Sequence, residues 1–186
     1  MLSVKLEKGQ LLVADPDLIG DVSFNKAVIL LTDHHEQGSV GFIINKPLKF
    51  TIQDIVPDII GNFKIYNGGP VEQDNLYFLH NVPDVIPNSI EISNGIYWGG
   101  CFDTVKELLN KQEINKDNIR FFLGYTGWGE TQLETEMEQK SWIVTPNNYK
   151  NKIIGKTTSQ IWKEKIIEIG GDYLIWSNAP ENPYLN

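Results

Sequence analysis

The stretch 124–136 carries the spacing in this chain that most resembles a phosphate-binding motif. It reads Gly-Tyr-Thr-Gly-Trp-Gly-Glu-Thr-Gln-Leu-Glu-Thr-Glu and follows an apolar, strand-like run at 119–123. A strand, a glycine-rich turn and a helix N-terminus form the geometry that many phosphate sites use. Glu130, however, stands where a P-loop has its lysine, and it places negative charge where phosphate needs positive charge. The stretch therefore predicts a structural strand-to-helix turn, with a capping box between Thr131 and Glu134, rather than a nucleotide site.

Two polar loops at predicted strand ends are better candidates for binding. Asn45 can donate and accept hydrogen bonds, and Lys46 supplies a point charge suited to an anionic group. The alternative is that asparagine, glycine and proline only shape turns there, and that a nearby tryptophan is a core anchor. The predicted binding groove consists of Asn45, Lys46, Pro47, Gly68, Gly69, Pro70, Gly127, Trp128 and Gly129.

Other reactive side chains do not form a catalytic or metal-binding pattern in the sequence. His34 and His35 are adjacent and are expected in a turn, whereas helical metal pairs need a separation of three or four residues. Cys101 has no histidine near it in sequence, and a small buried thiol is the favoured interpretation. We expect no metal, no cofactor and no catalytic residue that the sequence alone could assign.

Composition and charge restrict the class of partner. The chain has 186 residues and a formal net charge of −8, and Arg120 is its single arginine. Nucleic-acid surfaces rely on lysine and arginine to neutralise phosphates, so direct DNA binding is disfavoured. The lysines between 150 and 165 are the local exception, and they are interpreted as a solvated helix face with its preceding loop. Without a membrane-spanning apolar run or a signal-peptide pattern, we expect a cytoplasmic protein.

Hydrophobic patterning predicts about eight strands and three or four helices. The apolar runs 27–31 and 40–44 are expected to pair as a hairpin at the centre of the sheet, and Asn94-Gly95 predicts a second hairpin. Helices are expected after the capping residues Thr51, Asp103, Thr131 and Thr157. Because these elements show no regular beta-alpha-beta repeat, they predict one α+β domain over residues 1–186.

Five ordered segments resemble one protein family. They are the segments 9–16, 24–31, 38–47, 68–71 and 124–134, and together they cover nearly the whole chain. In this order and at these spacings they resemble the AlgH/YqgE family of bacterial cytosolic proteins. The resemblance implies a mixed, bifurcated β-sheet that forms a pseudo-barrel with helices packed outside. Members often carry the label of transcriptional regulator, although the family is largely uncharacterised.

Two functional hypotheses remain open at this point. The first is a non-enzymatic binding or regulatory protein that acts through a protein or a small ligand rather than through direct DNA contact. The alternative is an enzyme, such as a hydrolase or a nucleotide-acting protein, suggested by the strand, glycine turn and helix at 119–136.

Overall fold

A computed structural model describes residues 5–18 and 21–178. Within these residues the chain forms ten β-strands. They are β1 (Leu11–Ala14), β2 (Val28–His35), β3 (Gly38–Ile43), β4 (Pro47–Thr51), β5 (Lys64–Asn67), β6 (Val71–His80), β7 (Ile90–Ser93), β8 (Ile96–Trp98), β9 (Ile119–Gly129) and β10 (Trp142–Thr145).

Four α-helices and two 3₁₀ segments complete the described chain. The helices are α1 (Ile52–Ile55), α2 (Phe102–Asn110), α3 (Gln132–Glu138) and α4 (Ile161–Ile169). The 3₁₀ segments are Lys150–Ile154 and Gly171–Asn178. The fold is a single α+β domain, as the sequence predicts.

The longest strand, β9, is where the sheet divides. Its residues 119–125 pair with β6, its residues 126–129 pair with β3, and its residues 121–123 pair in parallel with β5. The main pairing path runs β10-β1-β2-β3-β9-β6-β8-β7, and β4 and β5 form a branch off it. The expected mixed and bifurcated sheet is confirmed. The path between β10 and β7 does not close, so the pseudo-barrel shape is not confirmed.

Glycines allow three chain segments to meet at this division. A Cβ at Gly68 would overlap the carbonyl oxygen of Gly124, and a Cβ at Gly124 would lie 2.5 Å from the carbonyl oxygen of Gly69. Gly124 also has φ +69°, in the left-handed region that favours glycine. The Gly68 amide donates to Leu123, and the Gly68 carbonyl accepts from Ile43, so one residue joins β3 to β9. These glycines are therefore structural parts of the sheet junction.

Consecutive side chains of β9 enter different hydrophobic clusters, because neighbouring strand residues face opposite sides of a sheet. Phe122 packs with Phe42 and Trp162 in one cluster, whereas Phe121 packs with Ile65 and Val105 in another. Both phenylalanine side chains are fully buried. Strand β9 is thus covered on both sides over this part of its length.

Both predicted hairpins are confirmed. Strands β2 and β3 pair antiparallel, and β7 and β8 are joined through Asn94 and Gly95, whose φ angles are +54° and +76°. Positive φ at both positions is what a tight hairpin turn requires. The sheet divides on β9 rather than at the β2–β3 pair, which is third and fourth along the path.

Three local predictions are wrong. Strand β9 continues through Gly129, so the glycine stretch is mostly strand rather than turn. Thr131 adopts a left-handed conformation with φ +58° and does not cap α3 through its side chain; the Gly129 amide donates instead to Oε1 of Gln132. His34 and His35 lie at the end of β2 and not in the turn.

Two of the other predicted caps also differ from the structure. Helix α2 begins after Cys101, so Asp103 lies in its first turn, where it forms an ion pair with Lys106 at 3.0 Å. Helix α4 begins after Gln160, without a side-chain cap, so the predicted capping box from Thr157 is absent. Thr51 does precede α1, and its amide donates to the Asp54 carboxylate at 2.7 Å.

Candidate functional site

The segment 45–47 lines a cavity of about 610 Å³, which we call the lysine cavity. The amide of Asn45 is engaged with the backbone: its Oδ1 accepts from Val28, and its Nδ2 donates to the carbonyl of Lys26. Nζ of Lys46 donates to the carbonyl of Asn25 at 2.6 Å. These bonds fix the end of β3 against the segment that enters β2. Asn45 therefore shapes the wall, and its amide has little capacity left for a ligand.

The other predicted groove residues do not line the lysine cavity. Gly68, Gly69 and Pro70 lie at the sheet junction, and Gly127 and Gly129 belong to β9. Trp128 is buried in a hydrophobic cluster with Trp142, and both indoles donate to Oε2 of Glu136 at 2.8 Å. Asn45, Lys46 and Pro47 thus come together at a cavity, whereas Trp128 is placed as a core anchor.

Three lysines line the lysine cavity: Lys26, Lys46 and Lys163. Nζ of Lys26 lies 5.2 Å from the centroid of the Trp162 ring, and the indole itself donates to the carbonyl of Ala14. Of the described residues around this cavity, none is acidic. Its full lining is Asn25, Lys26, Asn45, Lys46, Pro47, Ser159, Gln160, Trp162, Lys163, Ser177 and Asn178.

A second cavity of about 410 Å³ adjoins the first, because Pro47 and Ser159 line both. We call it the arginine cavity. Four cationic side chains line it, and hydroxyl groups come from the segment 157–159. The described residues around it again include no acid. They are Pro47, Asn62, Phe63, Lys64, Tyr66, Lys116, Ile119, Arg120, Ile154, Gly155, Lys156, Thr157, Thr158 and Ser159.

Arg120 is the central group of the arginine cavity. It lies on β9 two residues before Phe122, so both side chains are on the same side of the strand. The residue is only 6% exposed, and its guanidinium donates to the carbonyls of Ile44 and Lys156 and lies 4.6 Å from the centroid of the Tyr66 ring. Within residues 5–18 and 21–178, no carboxylate forms an ion pair with it.

The environment of Arg120 is unfavourable for its charge. Burial lowers the pKa of the guanidinium, because desolvation penalises the charged form. An arginine nevertheless remains protonated, since its ordinary pKa is far above neutrality. Carbonyl groups and a ring balance only part of the charge of a buried cation. A bound anion would balance the rest.

The two cavities together form what we call the basic face. It gathers seven of the sixteen basic residues of an acidic chain: Lys26, Lys46, Lys64, Lys116, Arg120, Lys156 and Lys163. Lys156 is partly neutralised by Glu164 at 2.9 Å, and this lysine is the leading cause that lowers the pKa of Glu164. Sequence reasoning identified Lys46 but missed Arg120. The available signal was a lone arginine inside an apolar strand, where a charged residue needs an explanation.

The remaining reactive side chains have local structural partners. Nε2 of His80 lies 3.1 Å from the carbonyl of Gly99, its Nδ1 accepts from Val82, and burial lowers its pKa. Nδ1 of His34 contacts the Ser39 hydroxyl at 2.8 Å. Cys101 is half-buried, not buried as predicted, and a hydrogen bond with the Thr104 side chain is the main cause that lowers its pKa.

The described parts of the chain hold neither a metal-binding cluster nor a membrane-spanning helix. Residues 5–18 and 21–178 contain no group of three or more histidine, cysteine or acidic side chains placed to hold a metal ion. Over the same residues, every helix is too short or too polar to cross a membrane.

Comparison with known proteins identifies the family. An AlgH-like family model matches residues 11–174. A UPF0301 protein of Cytophaga hutchinsonii is 39% identical over 183 residues, which are 97% of this chain and 100% of the relative. A UPF0301 protein of Chlorobium limicola is 40% identical over 187 residues, which are 98% and 97% of the two chains.

Two solved structures share the fold. The solution structure of AlgH from Pseudomonas aeruginosa superposes with a TM-score of 0.72 at 23% identity, over 97% of this chain and 98% of that one. A crystal structure from Corynebacterium diphtheriae gives a TM-score of 0.77 at 19% identity, over 95% and 94%. The fold, the family match and the identity to the curated relatives agree: this chain belongs to the AlgH-like family.

Proposed function

We propose that this protein is a non-enzymatic binding protein whose ligand is a small anionic molecule bound at the basic face. The observation that carries the proposal is Arg120, a buried cation without a described acidic partner, at the wall of a cavity. Any regulatory role would then follow from occupation of this site. A location in the cytoplasm remains a prediction.

The geometry of the arginine favours a carboxylate or a phosphoryl group. A guanidinium presents five N–H donors in a planar fork, and the two carbonyl partners of Arg120 do not use all of them. Hydrogen bonds between an ionised donor and an ionised acceptor are about twice as strong as neutral ones. An anion that reaches Arg120 would form an ion pair with a buried charge that has no acidic partner among the described residues. This pairing provides the driving force for binding.

The surrounding groups suit the same chemistry. Lys64 and Lys116 supply further positive charge around the arginine cavity, and Thr157 and Thr158 can donate hydroxyl hydrogen bonds. The lysine cavity next to it offers room for the remainder of a larger ligand, since the two cavities share Pro47 and Ser159. A ligand with more than one anionic group fits this arrangement best.

The shape and charge of the site favour a small molecule over DNA. Concave cavities of about 410 and 610 Å³ are in the size range of small-ligand sites, whereas duplex DNA needs an extended basic surface. The whole chain carries −8. A role in transcription would therefore operate through the bound ligand or through another protein.

The enzyme alternative was suggested by a strand, a glycine turn and a helix at 119–136, and the structure gives this stretch a different geometry. The glycines between 124 and 129 lie inside β9 and serve the sheet junction, and the helix that follows has only seven residues. Nothing in the arrangement of Glu130 and Thr131 favours a phosphate cradle, since Thr131 does not cap α3.

Titration calorimetry at low salt, with pyrophosphate and citrate as probes, tests the proposal. We expect binding that weakens as salt increases, because the contacts are ionic. Arg120→Gln should weaken it by roughly 10- to 100-fold, the range expected for hydrogen bonds to a charged group. Lys111→Gln is the matched control, because Lys111 pairs with Glu107 at the end of α2 and lines neither cavity.

Two results would overturn the proposal. One is the absence of binding by both probes to folded wild-type protein at millimolar concentration. The other is unchanged affinity in Arg120→Gln with an unchanged circular dichroism spectrum. If that variant does not fold, Lys116→Gln on the wall of the same cavity replaces it, and a several-fold loss is expected there.

A further inference from the structure

A third cavity of about 480 Å³ lies between β2, β3, β6 and the β7–β8 hairpin, and we call it the aromatic cavity. Four aromatic rings and three carboxylates line it: Phe42, Tyr77, Trp98, Tyr125, Asp33, Glu72 and Glu91. The remaining lining residues are Lys8, Thr32, Val40, Ile90 and Ile92. It shares no lining residue with the basic face.

Three of the four rings, Phe42, Tyr77 and Tyr125, pack next to one another. The centroid of Tyr77 lies 5.7 Å from that of Phe42 and 5.7 Å from that of Tyr125, in tilted and T-shaped arrangements. Phe42 is buried, whereas Trp98 is 40% exposed beside Ile90, its cross-strand partner. Aromatic faces carry negative quadrupole charge, so several rings around one space attract a cation.

Glu72 is held at this cavity by an unusual backbone. It has φ +48°, a left-handed conformation that is uncommon for a residue other than glycine, within the irregular part of β6 between Val71 and Leu76. Its Oε2 accepts hydrogen bonds from the hydroxyl of Tyr77 and from Nδ2 of Asn75 at 3.0 Å. This conformation and the two hydrogen bonds hold the carboxylate next to Tyr77.

We infer that the aromatic cavity binds a small organic cation with an alkylated ammonium group. The rings would surround the alkyl groups, and the carboxylates of Asp33, Glu72 and Glu91 would balance the charge. A primary ammonium ion is more strongly hydrated and gains less from rings, so a quaternary head group fits better. This inference is independent of the proposed anion site, because the two share no lining residue.

Among the residues that line the aromatic cavity, Lys8 is unfavourable for the binding of a cation. It is exposed and lines the cavity, so its ammonium group is an internal competitor for the same acids. Replacing it with glutamine should strengthen the binding of an added cation several-fold. A weaker affinity in Lys8→Gln would count against the inference.

The experiment compares choline with 3,3-dimethylbutan-1-ol, a neutral molecule of nearly the same shape, by calorimetry and by chemical-shift titration. We expect choline to bind about tenfold or more tightly than the neutral molecule. Glu72→Gln keeps the size of the side chain and should weaken choline binding several-fold, and Trp98→Leu should do the same by removing a ring. Glu113→Gln, an exposed acid outside the cavity, is the matched control.

The outcomes separate the possible kinds of site. Equal affinity for the two molecules would show an apolar cavity without cation preference and would overturn the inference. Absence of choline binding by the folded wild-type protein and by Lys8→Gln would overturn it as well. Choline binding that survives both Glu72→Gln and Trp98→Leu would place the cation elsewhere on the protein.

Discussion

The basic face and the aromatic cavity lie against the same cluster of rings, yet they present opposite chemistry. Phe122 lies 4.9 Å from Phe42, which lines the aromatic cavity, and 6.1 Å from Tyr66, which lines the arginine cavity. At Tyr66 the neighbouring charge is a buried guanidinium, whereas at Tyr77 it is an exposed carboxylate. The ring cluster is common to both regions, so the charge placed around it decides which ligand each region favours.

The two regions of the sheet differ in how far their charged groups are buried. Arg120 is enclosed and can be compensated only from within its cavity, whereas Glu72 faces solvent and depends on two hydrogen bonds to hold it in place. Desolvation strengthens electrostatic interactions, so an anion at Arg120 should gain more than a cation at Glu72. Substitutions in the shared strand β9 should therefore have the largest effect, those at Arg120 a smaller one, and those that act on Glu72 the smallest.

The largest effect is expected at Gly124, because β9 carries both Arg120 and Tyr125. In Gly124→Ala the new Cβ would lie 2.5 Å from the carbonyl oxygen of Gly69 and 2.8 Å from that of Val71, at a φ of +69°. We expect the free energy of unfolding to fall by about 3 kcal/mol, from overpacking plus left-handed strain, and both ligands to bind less well. Denaturant unfolding and the two titrations measure this.

Gly99 provides the control for this prediction. It has φ +67°, nearly the angle of Gly124, but a Cβ there would meet nothing within 4 Å. Gly99→Ala should therefore show only the conformational cost, about 1 kcal/mol. Equal destabilisation of the two variants would mean that the close approach at the junction contributes nothing.

The second effect is expected from Arg120→Lys, which keeps the charge and removes the planar fork. A lysine ammonium cannot reproduce the bonds to the carbonyls of Ile44 and Lys156 while also meeting an anion in bidentate geometry. We expect pyrophosphate affinity to fall roughly tenfold, with choline affinity unchanged. Calorimetry on one preparation measures both.

Lys116→Arg is the matched substitution for that experiment. It replaces an ammonium group with a guanidinium, the reverse of Arg120→Lys, on the wall of the same cavity. It should leave pyrophosphate binding nearly unaltered or slightly stronger. If Arg120→Lys bound pyrophosphate as well as the wild type, then charge alone would account for the site, and the guanidinium geometry would have no role.

Local signals predicted much of the sheet and little of the sites. The Asn94-Gly95 turn and the apolar runs of β2 and β3 specify hairpins through neighbouring residues, so the sequence was sufficient for them. The capping box at Thr131 failed because β9 extends to Gly129, and the chain must then turn with Thr131 in a left-handed conformation. The pairing of β9 with β3 thus decided the conformation of this segment, and the local preference of Thr131 for capping a helix did not.

The cavities depend on contacts that no spacing rule reveals. Arg120 meets Ile44 and Lys156, which are 76 and 36 residues away along the chain. Lys46 could be identified because it lies in a polar loop at a strand end, but Trp128, chosen for its glycine neighbours, proved to be a core residue bound to Glu136. A sequence shows which residues could do chemistry, and only the fold shows which of them meet.

The smallest effect concerns the pH dependence of cation binding. Hydrogen bonds from Tyr77, and then from Asn75, lower the pKa of Glu72 below its ordinary value of 4.5. A lowered pKa means that Glu72 stays ionised to a lower pH than an ordinary glutamate does. We therefore expect the contribution of Glu72 to choline binding to be lost only at a pH below that at which an ordinary glutamate becomes protonated.

Tyr77→Phe isolates the contribution of Glu72, because it keeps the ring and removes the hydroxyl. The pKa of Glu72 should then return toward 4.5, and choline binding should begin to weaken at a higher pH than in the wild type. Asp33, Glu91 and Lys8 also line the cavity, so the informative quantity is the shift between the two pH profiles and not the midpoint of either one. Superimposable pH profiles would show that the hydrogen bond from Tyr77 to Glu72 does not affect cation binding.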